Sequence, residues 1–183
     1  MISIIKLTQN HSDIPRVWEL FSEAFHDRAR VMMSTILNSM SATLYGIYTE
    51  EVARQFAGFF VVLEDEKILF LSFFAICPEL RSSGIGSQAL HALVEKHRGR
   101  QITLAYESVL QPSNNVTRTQ RERRRAFYLQ NGFHESQWYA CYNDIEYAFA
   151  CSQEPVDVAA LKQMFSQYMN YEANIYAYER LVI

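Results

Sequence analysis

Two glycines, Gly84 and Gly86, follow an apolar run and open a helical pattern in AICPELRSSGIGSQALHAL, residues 75–93. Backbone N–H groups in such a loop, running on into a helix N-terminus, point at phosphate oxygens. Glycine serves there because a Cβ would block close backbone approach and forbid left-handed dihedrals. Two phosphate chemistries fit these residues. Counted from Gly84, Gly-Ile-Gly-Ser-Gln-Ala matches the G-x-G-x-x-G/A pattern of dinucleotide folds. Glu107 then ends the next strand 23 residues on, about where a ribose-binding acid stands. Counted from Arg81, the same residues read R-x-x-G-x-G, with Arg81 adding charge-assisted bonds to a pyrophosphate. The plain alternative is a helix start with two turn glycines.

Three observations weigh against the dinucleotide reading. Pro78 through Ser83 separate the strand from the first glycine, whereas the dinucleotide turn follows its strand directly. The chain before the loop reads as antiparallel and hairpin-rich. Too little alternating strand and helix follows to build a second nucleotide-binding half.

A second stretch, RRRAFYLQNGF at residues 123–133, joins a helix bearing an aromatic pair to a glycine stop. Together the two stretches resemble the GNAT superfamily of N-acetyltransferases. Arg81, Gly84 and Gly86 match its R/Q-x-x-G-x-G/A loop, and Ala126-Phe127-Tyr128 with Gly132-Phe133 match its downstream pattern. The resemblance is good over about residues 55–142. It implies an α+β GNAT fold: one mixed, mostly antiparallel sheet with a splayed parallel strand pair, flanked by helices. It also implies acetyl-CoA as acetyl donor, without a metal. Arg81, Ser82, Ser83, Gly84, Ile85, Gly86 and Ser87 would cradle the pyrophosphate. Phe74, Ala75 and Ile76 would meet the pantetheine arm, with Asn115 and Phe127 completing the cofactor set.

The implied catalysts follow. An acceptor amine attacks only unprotonated, and a lysine-like amine has a reference pKa of about 10.4, so a base is needed. Glu107 is the candidate, acting directly or through water; its ordinary alternative is a solvated strand-end carboxylate. The leaving thiolate, with a reference pKa of about 8.5, benefits from a proton donor. Tyr128 corresponds to the family's tyrosine in that role. The implied activity is N-acetyl transfer to a primary amine on a small molecule or peptide, by direct attack through a tetrahedral intermediate. The competing class is a non-catalytic acyl-CoA-binding module on the same fold.

These residues need elements to hold them. A first strand is expected over residues 2–8, then a helix from Pro15 capped by Ser12 or Asp13. A second helix is expected near residues 29–40. Three β-rich segments follow, the last two joined as a hairpin by Glu64–Lys67. After the glycine loop, Ile85, Ala89, Leu90 and Leu93 make an apolar helical stripe, and QITLAYE is the next strand. A helix over about residues 117–131 carries Tyr128. A second hairpin turns at Asn143-Asp144, and a last helix near 156–169 points Val158, Leu161, Phe165 and Tyr168 inward. The aromatic tail suggests another strand, packing or a homodimer contact. One domain over residues 1–183 is expected.

Composition bounds the rest. A net charge of −3 and a pI near 6.0 argue against nucleic-acid binding by the whole surface. The run Arg121–Arg125 spreads around its helix axis and reads as mostly solvated. Three cysteines without CxxC or zinc spacing suggest reduced thiols in a cytoplasm. The apolar stretch 68–78 is too short to span a membrane, and no signal peptide is recognised at the N-terminus. His91 and His97 share no helix face, so no metal site is expected.

Overall fold

Apolar runs in the N-terminal half pair as an antiparallel meander. In a computed structural model, residues 2–25, 27–39, 41–50, 54–111, 115–169 and 174–177 are described. They fall into two compact units, residues 1–100 and 101–183. The first holds β1 (Ile2–Lys6), α1 (Ile14–Ala24), α2 (Asp27–Leu37), β2 (Ala42–Thr49), β3 (Gln55–Glu64), β4 (Ile68–Ile76) and α3 (Ile85–Lys96). Its strand order is β1-β2-β3-β4, each pair antiparallel.

The β3 run is buried almost end to end, which explains its continuous rather than alternating apolar sequence. Phe56, Phe59 and Phe60 supply its bulk. Helix α1 turns Val17, Leu20 and Phe21 inward, and the Phe21 ring meets Phe73 edge-on at 5.3 Å. Burying each such ring contributes about 1.5–3 kcal/mol. Asp13 stands at the α1 N-cap as expected, yet its side chain makes no cap bond. It instead accepts the Tyr48 hydroxyl proton at 2.7 Å, a long-range partner outcompeting the local one. The β3–β4 turn forms because Asp65 Oδ1 accepts the N–H groups of Lys67 and Ile68 at 2.7 and 2.8 Å.

One irregularity prepares the functional end of β4. Val61 lies opposite Phe73 and Val62 opposite Leu71, so Ser72 is an extra, bulged residue. A bulge bends and twists its strand, here just before Phe74, Ala75 and Ile76. His97 is buried, with Nε2 3.3 Å from the Tyr45 hydroxyl and Nδ1 3.9 Å from Glu64. Burial lowers its pKa, so it is a neutral packing residue at pH 7.

The second unit holds β5 (Gln101–Glu107), α4 (Asn115–Gln130), β6 (His134–Tyr142), β7 (Ile145–Cys151), α5 (Val158–Met169) and β8 (Ile175–Ala177). Its strand order is β5-β7-β6-β8, again antiparallel. Asn143 and Asp144 both take positive φ, 50° and 62°, which suits a tight hairpin between β6 and β7. Helix α4 ends where Phe133 N–H bonds to Tyr128 C=O at 3.2 Å around Gly132, a six-to-one closure. The tail adds strand β8 against β6, as its aromatic pattern suggested. Helix α5 needs a correction: its buried face is Ala160, Leu161, Met164 and Phe165. Val158 and Tyr168 sit half-buried at its flanks, because the stripe is centred one position off the expected line. No described helix is long and apolar enough to cross a membrane.

Candidate active site

In the first unit, β4 leads through a short 3-10 turn at Pro78–Leu80 to the glycine loop. Pro78 fits that turn because its fixed φ is preset for a first helical position. Ser83 Oγ donates to Leu80 C=O at 2.6 Å, tying loop to turn. Ser82 takes φ 63° and Gly84 φ 84°, so the chain turns through the left-handed region twice before α3 begins. Among the described residues, the backbone N–H groups of Ser82 through Ser87 have no acceptor. A helix start alone leaves four such groups; the loop extends the series to six. A Cβ built on Gly84 would meet nothing within 4 Å, so the space over the loop is open.

Arg81 departs from the simple picture. Its Nε donates to Ile76 C=O at 2.9 Å, and an Nη lies 3.8 Å from Glu23 of α1. Both charged side chains are about half exposed, 48% and 52%. An ion pair of that kind contributes at most about 1 kcal/mol. Ala75 is buried, Phe74 and Ile76 are half-buried, and Phe74 packs on Phe60 at 4.6 Å.

In the second unit, Glu107 ends β5 opposite Tyr147. Its Oε2 accepts Arg121 Nε at 2.9 Å, and its Oε1 lies 3.7 Å from Arg124. Arg121 is only 9% exposed at its side chain and also donates to Ser108 C=O at 3.3 Å and Gln111 C=O at 3.2 Å. Gln111 in turn donates to Asp144 C=O at 2.7 Å and accepts the Glu146 N–H at 3.1 Å. The loop after β5 is thereby tied both to α4 and to the start of β7. The expectation that the arginine run is mostly solvated does not hold for Arg121. Nor does it hold for Arg125, which grips Glu135 with two bonds at 2.6 and 3.0 Å.

Tyr128 lies on the same α4 face. Its ring stacks on Tyr106 at 5.9 Å and 19°, and meets Phe127 and Phe133 edge-on. Burial pushes its pKa up to about 12, with the Arg124 charge pulling the other way. The phenol is therefore uncharged at neutral pH and has no hydrogen-bond partner among the described residues. Tyr106 is engaged: its hydroxyl donates to Glu135. Burial would raise the Glu135 carboxyl, but bonds from Arg125 and Tyr106 hold it below the usual carboxylate range.

Sequence reasoning named Glu107 and Tyr128 but missed Arg121, Arg124 and Tyr106. A signal existed: residues 121, 124, 125 and 128 share one helical face at i, i+3, i+4 and i+7. Asn115 is the first residue of α4, and its side chain lies outside the described residues. Among the described residues, no three His, Cys, Asp or Glu side chains gather as a metal would require.

The profile described as an acetyltransferase (GNAT) domain matches residues 41–135. The chain belongs to the GNAT acetyltransferase family. A GNAT-family acetyltransferase structure from Bacteroides thetaiotaomicron superposes with TM-score 0.69 at 18% identity, covering 91% of this chain and 97% of that one. A GNAT acetyltransferase from Elizabethkingia anophelis, determined with acetyl-CoA bound, gives 0.62 at 15% identity over 84% and 98%. The ribosomal-protein-S18-alanine N-acetyltransferase from Escherichia coli gives 0.57 at 18% over 86% and 99%. No curated protein matches the sequence. The α+β GNAT fold is thus shown.

Proposed function

We infer that this chain is an acetyl-CoA-dependent N-acetyltransferase acting on a primary amine of a small molecule or peptide. The observation that carries this reading is Tyr128, a buried, uncharged phenol with no internal partner on the helix that follows the candidate base. A module that only bound CoA would have no need of a proton donor kept neutral and unengaged. The GNAT neighbour determined with acetyl-CoA and the aminoglycoside 6'-N-acetyltransferase determined with coenzyme A support the cofactor. The latter and the S18-alanine enzyme support an amine acceptor.

In this reading the free N–H series of Ser82 through Ser87 receives the pyrophosphate, with Ile85 and Gly86 opening α3. Arg81 trades Glu23 for a phosphate oxygen. The pantetheine arm lies along Phe74, Ala75 and Ile76, and Asn115 and Phe127 are assigned to the same cofactor. A β4 N–H polarises the thioester carbonyl as the amine attacks. Glu107 takes the amine proton through a water at Oε1, the oxygen that Arg121 leaves free. Tyr128 protonates the departing sulfur. The whole chain works as one domain.

Release of CoA thiol is the decisive measurement, using acetyl-CoA with a polyamine, an amino sugar and an alanyl peptide. Turnover on one acceptor is expected; tight CoA binding with none supports the binding module. Gly84→Val is expected to weaken acetyl-CoA binding at least tenfold in calorimetry. Its cost to folding is only the left-handed backbone, about 1–2 kcal/mol, because its Cβ points into open space. Unaltered affinity would remove the loop from the site.

The two guanidinium partners of Glu107 favour a second reading, in which the carboxylate only anchors α4 and the amine deprotonates to solvent. Glu107→Gln separates them. Both readings predict a lower melting temperature, since the buried Arg121 loses its ionic partner. At temperatures where the variant stays folded, the base reading predicts a kcat loss of about 10²-fold or more, and the anchoring reading predicts kcat kept.

A further inference from the structure

Tyr128 as acid leaves one difficulty, and its neighbourhood supplies the remedy. A phenol with a pKa near 12 must give its proton to a thiolate whose reference value is about 8.5. That transfer is uphill unless the phenolate is stabilised as it forms. Arg124 precedes Tyr128 by one helical turn, the spacing at which side chains meet on a helix surface. Its guanidinium is directed to the β5 end, with one Nη 3.7 Å from Glu107 Oε1. Unlike the buried Arg121, it keeps 47% of its side chain exposed and donates to no backbone carbonyl in the described structure. Among the described residues no other cation acts on Tyr128, and the stacked Tyr106 is uncharged and committed to Glu135.

We propose that Arg124 is a positioning residue for the acetyl transfer, its guanidinium held by Glu107 beside Tyr128 so that it stabilises the phenolate formed when the tyrosine proton passes to the CoA sulfur. This rests on Tyr128 being the acid. The step balances without another reagent: the amine nitrogen bonds to the thioester carbon, the carbon–sulfur bond breaks, and the sulfur leaves as thiol with the Tyr128 proton. The proton lost by the ammonium returns through water to the phenolate or to solvent. Arg124 exchanges no proton and contacts no reacting atom; its charge acts through Tyr128.

A double-mutant cycle tests this, using Arg124→Met, Tyr128→Phe and their combination on the amine that turns over. Arg124→Met is expected to lower kcat roughly three- to tenfold, with the KM for acetyl-CoA unchanged. Arg124→Lys should restore most of the rate. In the Tyr128→Phe background, Arg124→Met should cost nothing further. Equal losses in both backgrounds, or a rise in KM without loss of kcat, would overturn the proposal and make Arg124 a cofactor ligand. An unchanged kcat in Tyr128→Phe alone would remove the acid itself, a separate result. The coupling is also readable without any acceptor. NMR of carbon-13-labelled tyrosine, with the Tyr128 signal identified by its absence in Tyr128→Phe, should show that Arg124→Met shifts its ionisation to higher pH. An unmoved titration would sink the idea even if no amine reacts.

Discussion

Replacing Tyr128 with phenylalanine is expected to lower kcat about 10²- to 10⁴-fold, the range for a lost general acid, while acetyl-CoA affinity stays nearly constant. The ring would keep its stacking on Tyr106 and its edge contacts with Phe127 and Phe133. The hydroxyl has no internal partner, so its removal strands no donor or acceptor and the fold should keep its melting temperature. Linkage gives an independent check. Burial raises the Tyr128 pKa from 10.0 to about 12. A folded value above the unfolded one means stability that is complete below pH 10 and is lost as pH rises toward 12. The Phe variant lacks that loss and should resist alkali slightly better, although Tyr45, Tyr48 and Tyr106, also raised, keep part of the sensitivity. Steady-state rates under conditions where chemistry limits turnover decide the matter. An unchanged kcat there removes Tyr128 as the acid.

What could be read in the sequence was what neighbouring residues decide among themselves. Asp65 closes the β3–β4 turn with bonds two and three residues along, and Asn143-Asp144 takes the backbone its residue types prefer. The glycine loop is likewise local: its two left-handed residues and open N–H series follow from a stretch of six positions. Distant pairing was hidden. Asp13 looked like a helix cap because nothing nearby announces Tyr48, 35 residues on. Arg121 looked solvated because Glu107 lies 14 residues earlier, across a loop. The Ser72 bulge leaves no trace in KILFLSFFAIC, since a small polar residue in an apolar strand equally suits an outward-facing position.

Gly58 is the clearest case of a distant neighbour dictating a residue, and Gly58→Ala should be the most damaging small substitution in the first unit. Gly58 lies opposite Ile76 across the β3–β4 ladder. A Cβ there would stand 2.2 Å from the Ala75 carbonyl oxygen and 3.1 Å from the Ile76 Cα. Both obstacles are backbone, so no rotamer change relieves them, and β4 must move away from β3 where it approaches the glycine loop. Overpacking of this kind costs about 3 kcal/mol or more. For a chain of this length that is a fall of about 6–12 °C in melting temperature. The displacement falls on Ala75 and Ile76, the residues assigned to the pantetheine arm, and on the Ile76 carbonyl that holds Arg81. Acetyl-CoA affinity should therefore drop even at temperatures where the variant is fully folded. Gly46→Ala provides the contrast, because its nearest obstacle at 2.8 Å is the Tyr48 ring, a side chain and not backbone, so its cost falls on the Tyr48–Asp13 bond and leaves β4 in place. If calorimetry found Gly58→Ala as stable as wild type with its affinity intact, β4 would not be pinned where the site requires it.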